Sequence, residues 1–474
     1  MPKRNLFVLL VMIAAGGIAC LAREHTRHAR RFGEVLAAID GAYIEPVDRQ
    51  TLFDAAMEGV FSRLDEHSAF VSGPGRRHLE AALDQEFGQE FGQEFGGVGL
   101  ELAENGAAKG LEVVSPVFGS PAWRAGIAAG DRIVAIDGIA TREMPLPEAL
   151  RRLRGVAGTP VTLALDAAAA EPEGAVSRRT TTLVRELVRT ESVLGDRRRP
   201  DGSWDWEVEG EPGTWLVRIT SFGDRTPDEL RRALDAIADR QAAPGVAPGG
   251  LVVDLRGNSG GLLSAAVEAC DLLLDDGVIV STRGRNAATS GDVAFDVRRA
   301  GRGAALAGMP IAVLVDGLTA NAAEVMAACL QDHGRAVVVG SRTFGKGTVQ
   351  SLLPLSDGSG LVKLTTSEYL RPSRANIHRR ADDDAAATWG VTPDAGCESM
   401  PSGRQIELAR QWRRTRDAVP PMGRSLPAVA ATHAALPRQA DVALALAIDR
   451  LRPPRDAAQP GADHAAGGPV TTRP

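Results

Sequence analysis

Short apolar runs alternate with stretches of helical spacing between residues 311 and 355. The run 313–315, Val-Leu-Val, stops at Asp316 and Gly317, a pattern typical of a buried strand that enters a turn. Apolar residues at three- and four-residue spacing then predict a helix. Thr319 or Asn321 can cap it, because a short polar side chain accepts from the free N–H groups of the first turn. A second buried strand is predicted at 336–339, and it leads into the loop that presents Lys346.

Helical spacing also marks the beginning of the chain. Val35, Leu36 and Ile39, and then further apolar residues up to position 64, recur at three- and four-residue intervals, which predicts helices across residues 33–84. Before them, the apolar run 6–21 follows two basic residues and has the length of a signal-peptide core or a short anchor. The sequence therefore predicts an exported protein, either periplasmic or anchored on the outer face of the cytoplasmic membrane.

A glycine-rich loop follows the predicted helices. The tetrapeptide Gln-Glu-Phe-Gly occurs three times in succession from residue 85 to 96, and we assign this repeat no function beyond lengthening a linker. Its last copy enters Gly97, Val98, Gly99 and Leu100, which resemble the carboxylate-binding loop of PDZ domains. Successive backbone amides in such a loop can bind a terminal carboxylate, and the following strand can pair with an incoming peptide. Residues 119–138 resemble the rest of a PDZ core, and a helix predicted at 147–153 would form the other wall of the groove.

Lysine usage singles out one position. Lysine and arginine together number 54, yet only four of these residues are lysine, and one of the four is Lys346 in the turn Phe-Gly-Lys-Gly. An arginine guanidinium stays protonated and cannot act as a base, whereas a lysine can take a hydroxyl proton when burial keeps it neutral. Lys346 is therefore a candidate general base.

Composition excludes several other kinds of function. A net charge of −6 gives no indication of nucleic-acid binding, and the short arginine clusters lack interleaved aromatic residues. None of the four cysteines forms a Cys-x-x-Cys pair, and no His-Glu-x-x-His pattern occurs among the eight histidines. We expect no metal and no cofactor.

The motifs from residue 316 to 350 resemble the active-site segment of the carboxy-terminal processing peptidases, which are tail-specific serine proteases with a PDZ domain. The resemblance extends over residues 33–452 and implies an α/β fold. It also implies a mixed-sheet protease core of the ClpP/crotonase-like type, an inserted PDZ domain and an N-terminal helical region. In that family the nucleophilic serine stands three residues before a glutamate of the helix, and this position is Asn321.

The same resemblance assigns the remaining site residues. It makes Lys346 the general base and Gln350 the residue that orients this lysine. The oxyanion hole would be formed by Gly260, Gly261 and the amide of Ala322. The implied domains are a signal peptide or anchor at 1–23, a helical region at 24–84, the PDZ domain at 85–190, the protease core at 191–400, a C-terminal helical region at 401–452 and a disordered tail at 453–474.

Asparagine cannot replace the nucleophilic serine, because the lone pair of a carboxamide nitrogen is delocalised into the carbonyl group. Hydrolysis is therefore predicted to be lost or severely reduced, while the PDZ groove keeps its capacity to capture proteins with apolar C-terminal tails. An active protease that uses the hydroxyl of Thr319 or Ser259 is the alternative. Homodimerisation is a further expectation from the resemblance, and the apolar run 6–21 adds the expectation of membrane association through the N-terminus.

A nucleotide-binding loop is a rival interpretation of residues 340–346, Gly-x-x-x-x-Gly-Lys. The next residue is Gly347 where magnesium coordination needs serine or threonine, and the residues after it are predicted to form a strand rather than a helix. The sequence therefore favours the protease-like interpretation.

Overall fold

The computed structural model describes ten stretches of the chain: residues 27–72, 94–104, 110–167, 178–247, 249–285, 293–301, 303–356, 360–380, 388–420 and 441–452. The predicted leader, the first two copies of the repeat and the predicted tail lie outside these residues. The described residues fall into two compact units. One consists of the residues up to 72 together with 350–366, and the other consists of the rest.

The first unit contains two helices and a strand. The helices span residues 27–42 and Arg49–Phe61, and the side chain of Asp48 caps the second by accepting from the backbone N–H of Thr51 at 2.9 Å. The strand Ala69–Ser72 pairs antiparallel with residues 360–363. The prediction of helix up to residue 84 was therefore wrong at 69–72. Residues 69–72 form a strand because their backbone pairs with a segment about 290 positions later in the chain. The local spacing of apolar residues does not indicate such a distant partner.

A mixed five-stranded sheet forms the centre of the second unit. Four neighbouring strands run parallel, and a short strand pairs antiparallel at one edge. In spatial order the strands are Val193–Leu194, Thr214–Ile219, Gly250–Asp254, Ile311–Val315 and Ala336–Gly340. The two strands Gly250–Asp254 and Ile311–Val315 are buried along their whole length, as expected where helices cover both faces of a parallel sheet.

Helices cover the two faces of this sheet. Alternate strand residues such as Val253 and Val313 pack against one group of helices, and Val252 and Leu314 pack against the opposite face. The first group comprises Thr226–Gln241, Leu263–Asp271 and Ala322–Asp332, and the helix Val442–Leu451 covers the other face. A further helix, Gly403–Asp417, precedes Val442–Leu451 in the chain. The helix and strands predicted around residues 311–340 are confirmed.

Antiparallel strands complete the core. Val278–Arg285 pairs with Val293–Arg299 and, on its other side, with residues 367–370 at the end of the strand Gly360–Leu370. A small hairpin joins Arg197–Arg198 to Trp204–Asp205. The strand Thr348–Pro354 begins directly after Gly347. A phosphate-binding loop would open a helix at this point, so the described fold does not support the nucleotide-binding alternative.

A second sheet lies between the N-terminal unit and the central sheet in the chain order. Its strands, in spatial order, are Leu100–Glu104, Leu111–Pro116, Arg132–Ile136, Pro160–Asp166 and Arg178–Val184, and Ile139–Ala140 pairs with Arg132–Ile136. The helices Pro121–Arg124 and Leu146–Leu153 accompany the sheet, and Glu94–Gly97 pairs with Glu186–Arg189. This domain has its own apolar core around Ile127, Ile133 and Leu163.

Across the ten described stretches, no helix combines the length and the apolar character needed to cross a bilayer. The apolar run 6–21 is not part of those stretches.

Candidate active site

Asn321 lies at the turn between the buried strand Ile311–Val315 and the helix Ala322–Asp332, and it is the N-cap of that helix. Its backbone has φ 54° and ψ −120°, a conformation that L-residues rarely adopt. Holding a non-glycine residue in such a region costs on the order of 1–3 kcal/mol, and such strain concentrates at functional sites. A sharp, strained turn from strand to helix is also the geometry that exposes the nucleophile in α/β-hydrolases.

Gly260 approaches Asn321 closely from a different part of the chain. A Cβ atom placed on Gly260 would lie 2.7 Å from the Cβ of Asn321 and 3.0 Å from the backbone nitrogen of Ala322. Gly260 also has φ +113°, so a side chain there would be strained as well as obstructed. The structure therefore brings the glycine turn and the Asn321 turn together, as the resemblance implied.

The backbone amides around Asn321 differ in their availability. The N–H of Gly260 donates to Oδ1 of Asn258 at 2.8 Å, so it is already engaged. Gly261 and Ala322 carry N–H groups for which the described part of the chain provides no hydrogen-bond acceptor. Ala322 is the first residue of its helix, where amides and the helix dipole favour negative charge. Of the three predicted oxyanion-hole residues, Gly261 and Ala322 have the free donors, and Gly260 contributes by permitting the close approach.

Glu324 links the Asn321 turn to the Lys346 loop, a role that the resemblance did not give it, since there it served only to locate position 321. Its side chain is completely buried. One carboxylate oxygen, Oε2, accepts from the backbone N–H of Asn321 at 3.0 Å and from that of Lys346 at 2.8 Å. The other, Oε1, accepts from the N–H of Gly345 at 2.7 Å and from the hydroxyl of Thr343. Because one oxygen holds both backbone nitrogens, Asn321 and Lys346 are fixed close to each other.

Burial raises the pKa of Glu324, and the hydrogen bonds from Thr343, Gly345, Lys346 and Asn321 oppose that rise. Desolvation disfavours the charged carboxylate, whereas donated hydrogen bonds favour it. The spacing of a glutamate three residues after an N-cap is a signal that could have identified this residue, because it is the spacing of a capping box.

The loop that carries Lys346 is tightly packed on both sides of the lysine. A Cβ atom on Gly345 would lie 2.8 Å from atoms of Arg379 and Trp389, and one on Gly347 would lie 2.3 Å from the backbone nitrogen of His378. The N–H of Phe344 donates to the carbonyl of Thr319 at 2.9 Å. The lysine side chain itself is partly buried. The two glycines are therefore required by packing, and they fix the direction in which the loop presents Lys346.

The two alternative hydroxyl groups differ in their surroundings. Thr319 is completely buried, and its Oγ1 donates to the carbonyl of Leu255 at 2.9 Å while accepting from the N–H of Asp316 at 3.0 Å. Ser259 is exposed, in the turn before Gly260. Thr319 thus uses its hydroxyl to tie the strand end to the neighbouring loop.

The predicted peptide-binding residues lie at one edge of the second sheet. Leu100 begins the strand Leu100–Glu104, which is the edge strand and lies beside the helix Leu146–Leu153. Gly99 has φ +76°, and a Cβ atom there would lie 2.3 Å from the Cβ of Ser120. Its carbonyl accepts from the N–H of Val117 at 3.0 Å. The glycine is therefore needed to bring the loop against the residues 117–120.

Gln350 belongs to the first unit, where its Nε2 atom donates to Oγ1 of Thr365 at 3.3 Å. Its orienting role for the lysine stays a prediction. No three histidine, cysteine or acidic side chains in the described residues converge in a way that would hold a metal ion.

The fold comprises an α/β core and a second β-sheet domain that resembles a PDZ domain. In the core, the turns at Asn321, Gly260 and Lys346 have the arrangement expected of a hydrolase active site. The sequence profile of peptidase family S41 matches residues 214–396, and that of the PDZ domain matches residues 112–166. A carboxy-terminal-processing protease of Bartonella bacilliformis is 34% identical over 387 residues, which cover 81% of this chain and 78% of that protein. One from Synechocystis is 31% identical, covering 79% of this chain and 82% of the relative.

The solved structure of a photosystem II D1 C-terminal processing protease is 29% identical to the chain. It matches 78% of this chain and 92% of that one, with a TM-score of 0.41. The family assignment rests on the sequence relatives and on the PDZ and S41 matches. The chain belongs to the carboxy-terminal processing proteases of peptidase family S41, and its fold is an α/β protease core with an inserted PDZ domain.

Proposed function

We propose that this chain captures protein C-terminal tails through its PDZ groove without cleaving them, because Asn321 occupies the position of the nucleophile. The observation that carries the proposal is the placement of Asn321 at a strained helix N-terminus, beside the free N–H groups of Gly261 and Ala322 and tied through Glu324 to the loop of Lys346. The surroundings of a nucleophile are present, and the side chain at their centre has no group that can attack a carbonyl carbon.

The chemistry of the lost reaction follows from the same geometry. A serine at position 321 would attack the scissile carbonyl after giving its proton to a neutral Lys346. The negative charge that develops on the carbonyl oxygen would be stabilised by the N–H groups of Gly261 and Ala322, since donors fixed in advance cost no reorganisation during the reaction. A carboxamide leaves the lysine and the donors in place and removes the first step.

The tail-binding part of the proposal rests on the loop at Gly99 and the edge strand Leu100–Glu104. An extended peptide can add to an exposed sheet edge, and its terminal carboxylate can be held by successive backbone amides. The partner is thus a protein or peptide with an apolar C-terminal tail. Export, membrane association and homodimerisation belong to the same proposal on the strength of the sequence.

The experiment compares cleavage of an unstructured substrate with an apolar C-terminus by four proteins: the chain itself, Asn321→Ser, Asn321→Ala, and Asn321→Ser combined with Lys346→Ala. We expect cleavage by Asn321→Ser alone. Asn321→Ala is the matched control, since it removes the carboxamide without supplying a nucleophile.

Cleavage by the unchanged chain at the rate of the serine variant would contradict the proposal. In that case Thr319→Val and Ser259→Ala distinguish the remaining nucleophiles, and the variant that abolishes cleavage identifies the group that attacks. Tail capture is measured separately by the binding of a labelled peptide with an apolar C-terminus. The control is the same peptide with its terminal carboxylate replaced by an amide.

A further inference from the structure

The strand Val293–Arg299 forms one edge of the antiparallel sheet that completes the core. It pairs with Val278–Arg285 on one side, and no other described strand pairs with its outer side. All seven of its residues are exposed. An edge strand presents unpaired N–H and C=O groups that can pair with another extended chain. The outer side of Val293–Arg299 is therefore a surface on which a further strand can dock.

The exposed side chains of this strand separate into an apolar face and a charged face. Val293, Phe295 and Val297 alternate along the strand and are 55%, 60% and 47% exposed. Successive residues of a strand point to opposite faces, so these three share one face. Asp296 and Arg298 share the other face, where they form an ion pair at 2.9 Å. A contiguous exposed row of apolar side chains is typical of a surface that contacts a partner.

The charges of the strand are complementary to those of a second copy. When two copies pair antiparallel about a two-fold axis at Val297, Asp296 of each copy lies directly opposite Arg298 of the other. Charged residues on an edge often prevent pairing, but opposite charges directly across a strand pair stabilise it. A two-fold axis at Asp296 or at Arg298 would instead bring two like charges together, which is destabilising. The charges therefore favour one register.

The apolar face fits the same register. The two copies of Val297 lie side by side at the axis, and Phe295 of each copy lies opposite Arg299 of the other, where a guanidinium can contact an aromatic ring. The apolar rows of the two copies become one continuous surface. The same patch serves both copies, as in the isologous two-fold interfaces that are commonest among oligomers. An extended peptide of unrelated sequence would lack this self-complementarity, so a second copy is the favoured occupant.

We propose that two copies of this chain dimerise by antiparallel pairing of Val293–Arg299 about a two-fold axis at Val297. This inference rests on the homodimerisation proposed above and assigns a surface to it. The strand contains none of Asn321, Lys346 and Gly99, so the pairing does not depend on tail capture or on cleavage.

Disulfide cross-linking of the full chain tests the pairing. At the two-fold axis the two Cα atoms of residue 297 lie about 4.5–5.5 Å apart, a separation that a disulfide spans. Val297→Cys should therefore form a covalent dimer with oxidised glutathione, which accepts two electrons and two protons from the two thiols and becomes two glutathione thiols. The native cysteines of the described residues, Cys270, Cys329 and Cys397, are buried. The unchanged chain measures any cross-linking by native cysteines.

Phe295→Cys is the matched control, because it places a thiol on the same exposed face of the same strand. In the proposed register the two residues 295 lie about 14 Å apart, which is beyond the reach of a disulfide. We expect Val297→Cys to cross-link at least about tenfold faster than Phe295→Cys. Equal rates would contradict the register, and the absence of cross-linking in both variants would overturn the proposal.

Charge reversal tests the pairing of Asp296 with Arg298. In the Val297→Cys background, Asp296→Arg should slow cross-linking about tenfold or more, because two attractions across the axis become two repulsions. Adding Arg298→Asp should restore the rate. Asp239→Arg makes the same change at an exposed position of the helix Thr226–Gln241 and should have no effect. A rate that does not respond to Asp296→Arg would overturn the proposed register.

Sedimentation velocity of the unchanged chain separates this inference from homodimerisation itself. We expect a dimer that dissociates on dilution. A monomer at every concentration tested would overturn both the homodimerisation and the assigned surface. A dimer whose Val297→Cys variant does not cross-link would leave homodimerisation standing and overturn only the assigned surface.

Discussion

The carboxylate of Glu324 accepts a hydrogen bond from the backbone N–H of Lys346 at 2.8 Å, across 22 positions of the chain. The same oxygen accepts from the N–H of Asn321 at 3.0 Å. A single buried side chain thus sets the separation between the Asn321 turn and the Lys346 loop.

Glu324→Gln should destabilise the fold and prevent any rescue of cleavage. A carboxamide presents one oxygen where the carboxylate presents two, and its NH₂ group would face backbone N–H donors. We expect a loss of about 2–4 kcal/mol in the free energy of unfolding, measured with urea, because two or more buried donors lose their acceptor.

The control for that measurement is Glu143→Gln, which changes an exposed glutamate in the same way. It should alter the free energy of unfolding by less than about 0.5 kcal/mol. In the Asn321→Ser background, Glu324→Gln should abolish cleavage under conditions where the protein is still folded. Normal stability and normal cleavage in this variant would show that Glu324 does not hold the two segments together.

Gly260→Ala should cost more than Gly257→Ala, although both glycines have positive φ angles of +113° and +71°. Gly257 has open space around its Cβ position, so its substitution carries only conformational strain of about 1–2 kcal/mol. A Cβ atom added at Gly260 would lie 2.7 Å from the Cβ of Asn321, and this close contact adds an overpacking cost of about 1–3 kcal/mol. Urea unfolding of both variants measures the difference, and equal losses would contradict the close approach.

The free energy of unfolding should decrease below about pH 4 because Asp441 becomes protonated there. Although burial alone would raise its pKa, the charge of Arg256 and the hydrogen bonds from it lower the pKa of Asp441 to about 2, from a usual value of 3.8. The depressed pKa means that the ionised carboxylate stabilises the folded state above pH 3.8. That contribution, about 2 kcal/mol, is lost as the pH falls from 3.8 towards 2.

Asp441→Asn isolates this effect, because asparagine is also a good N-cap and Asp441 caps the helix Val442–Leu451. The difference in unfolding free energy between the chain and this variant should shrink as the pH is lowered from 5 to 3. Asp449→Asn, at an exposed position of the same helix, is the control. A difference for Asp441→Asn that does not depend on pH would show that its carboxylate is not stabilised by Arg256.

Gly99→Ala should weaken tail binding by about tenfold or more, an effect of at least about 1.4 kcal/mol. The new Cβ would lie 2.3 Å from the Cβ of Ser120 and would displace the loop whose amides are proposed to hold the carboxylate. Fluorescence anisotropy of a labelled peptide with an apolar C-terminus measures the affinity. Gly119→Ala is the matched control, because that glycine also has positive φ, +72°, but has open space at its Cβ position. Equal affinities for the two variants would show that the loop at Gly99 does not hold the C-terminal carboxylate of the peptide.

The strands and helices near the site were predictable from sequence because their apolar spacing is local. The helix expected after Asn321 was found at Ala322–Asp332, and the expected strands were found at Ile311–Val315 and Ala336–Gly340. The strand Ala69–Ser72 was missed, since its partner lies far along the chain. Glu324 was missed as well, because its burial follows from a loop that reaches it from residues 343–346.

The sequence by itself determined the family, the strands and helix between residues 311 and 340, and the side-chain chemistry of Asn321, because these depend on residue identity and on local spacing. The tertiary structure alone decided which residues meet. It placed Gly260 against Asn321 and joined Asn321 to Lys346 through Glu324. Each of these relations joins segments that are distant in the chain, and the packing that brings them together is not expressed in any local pattern.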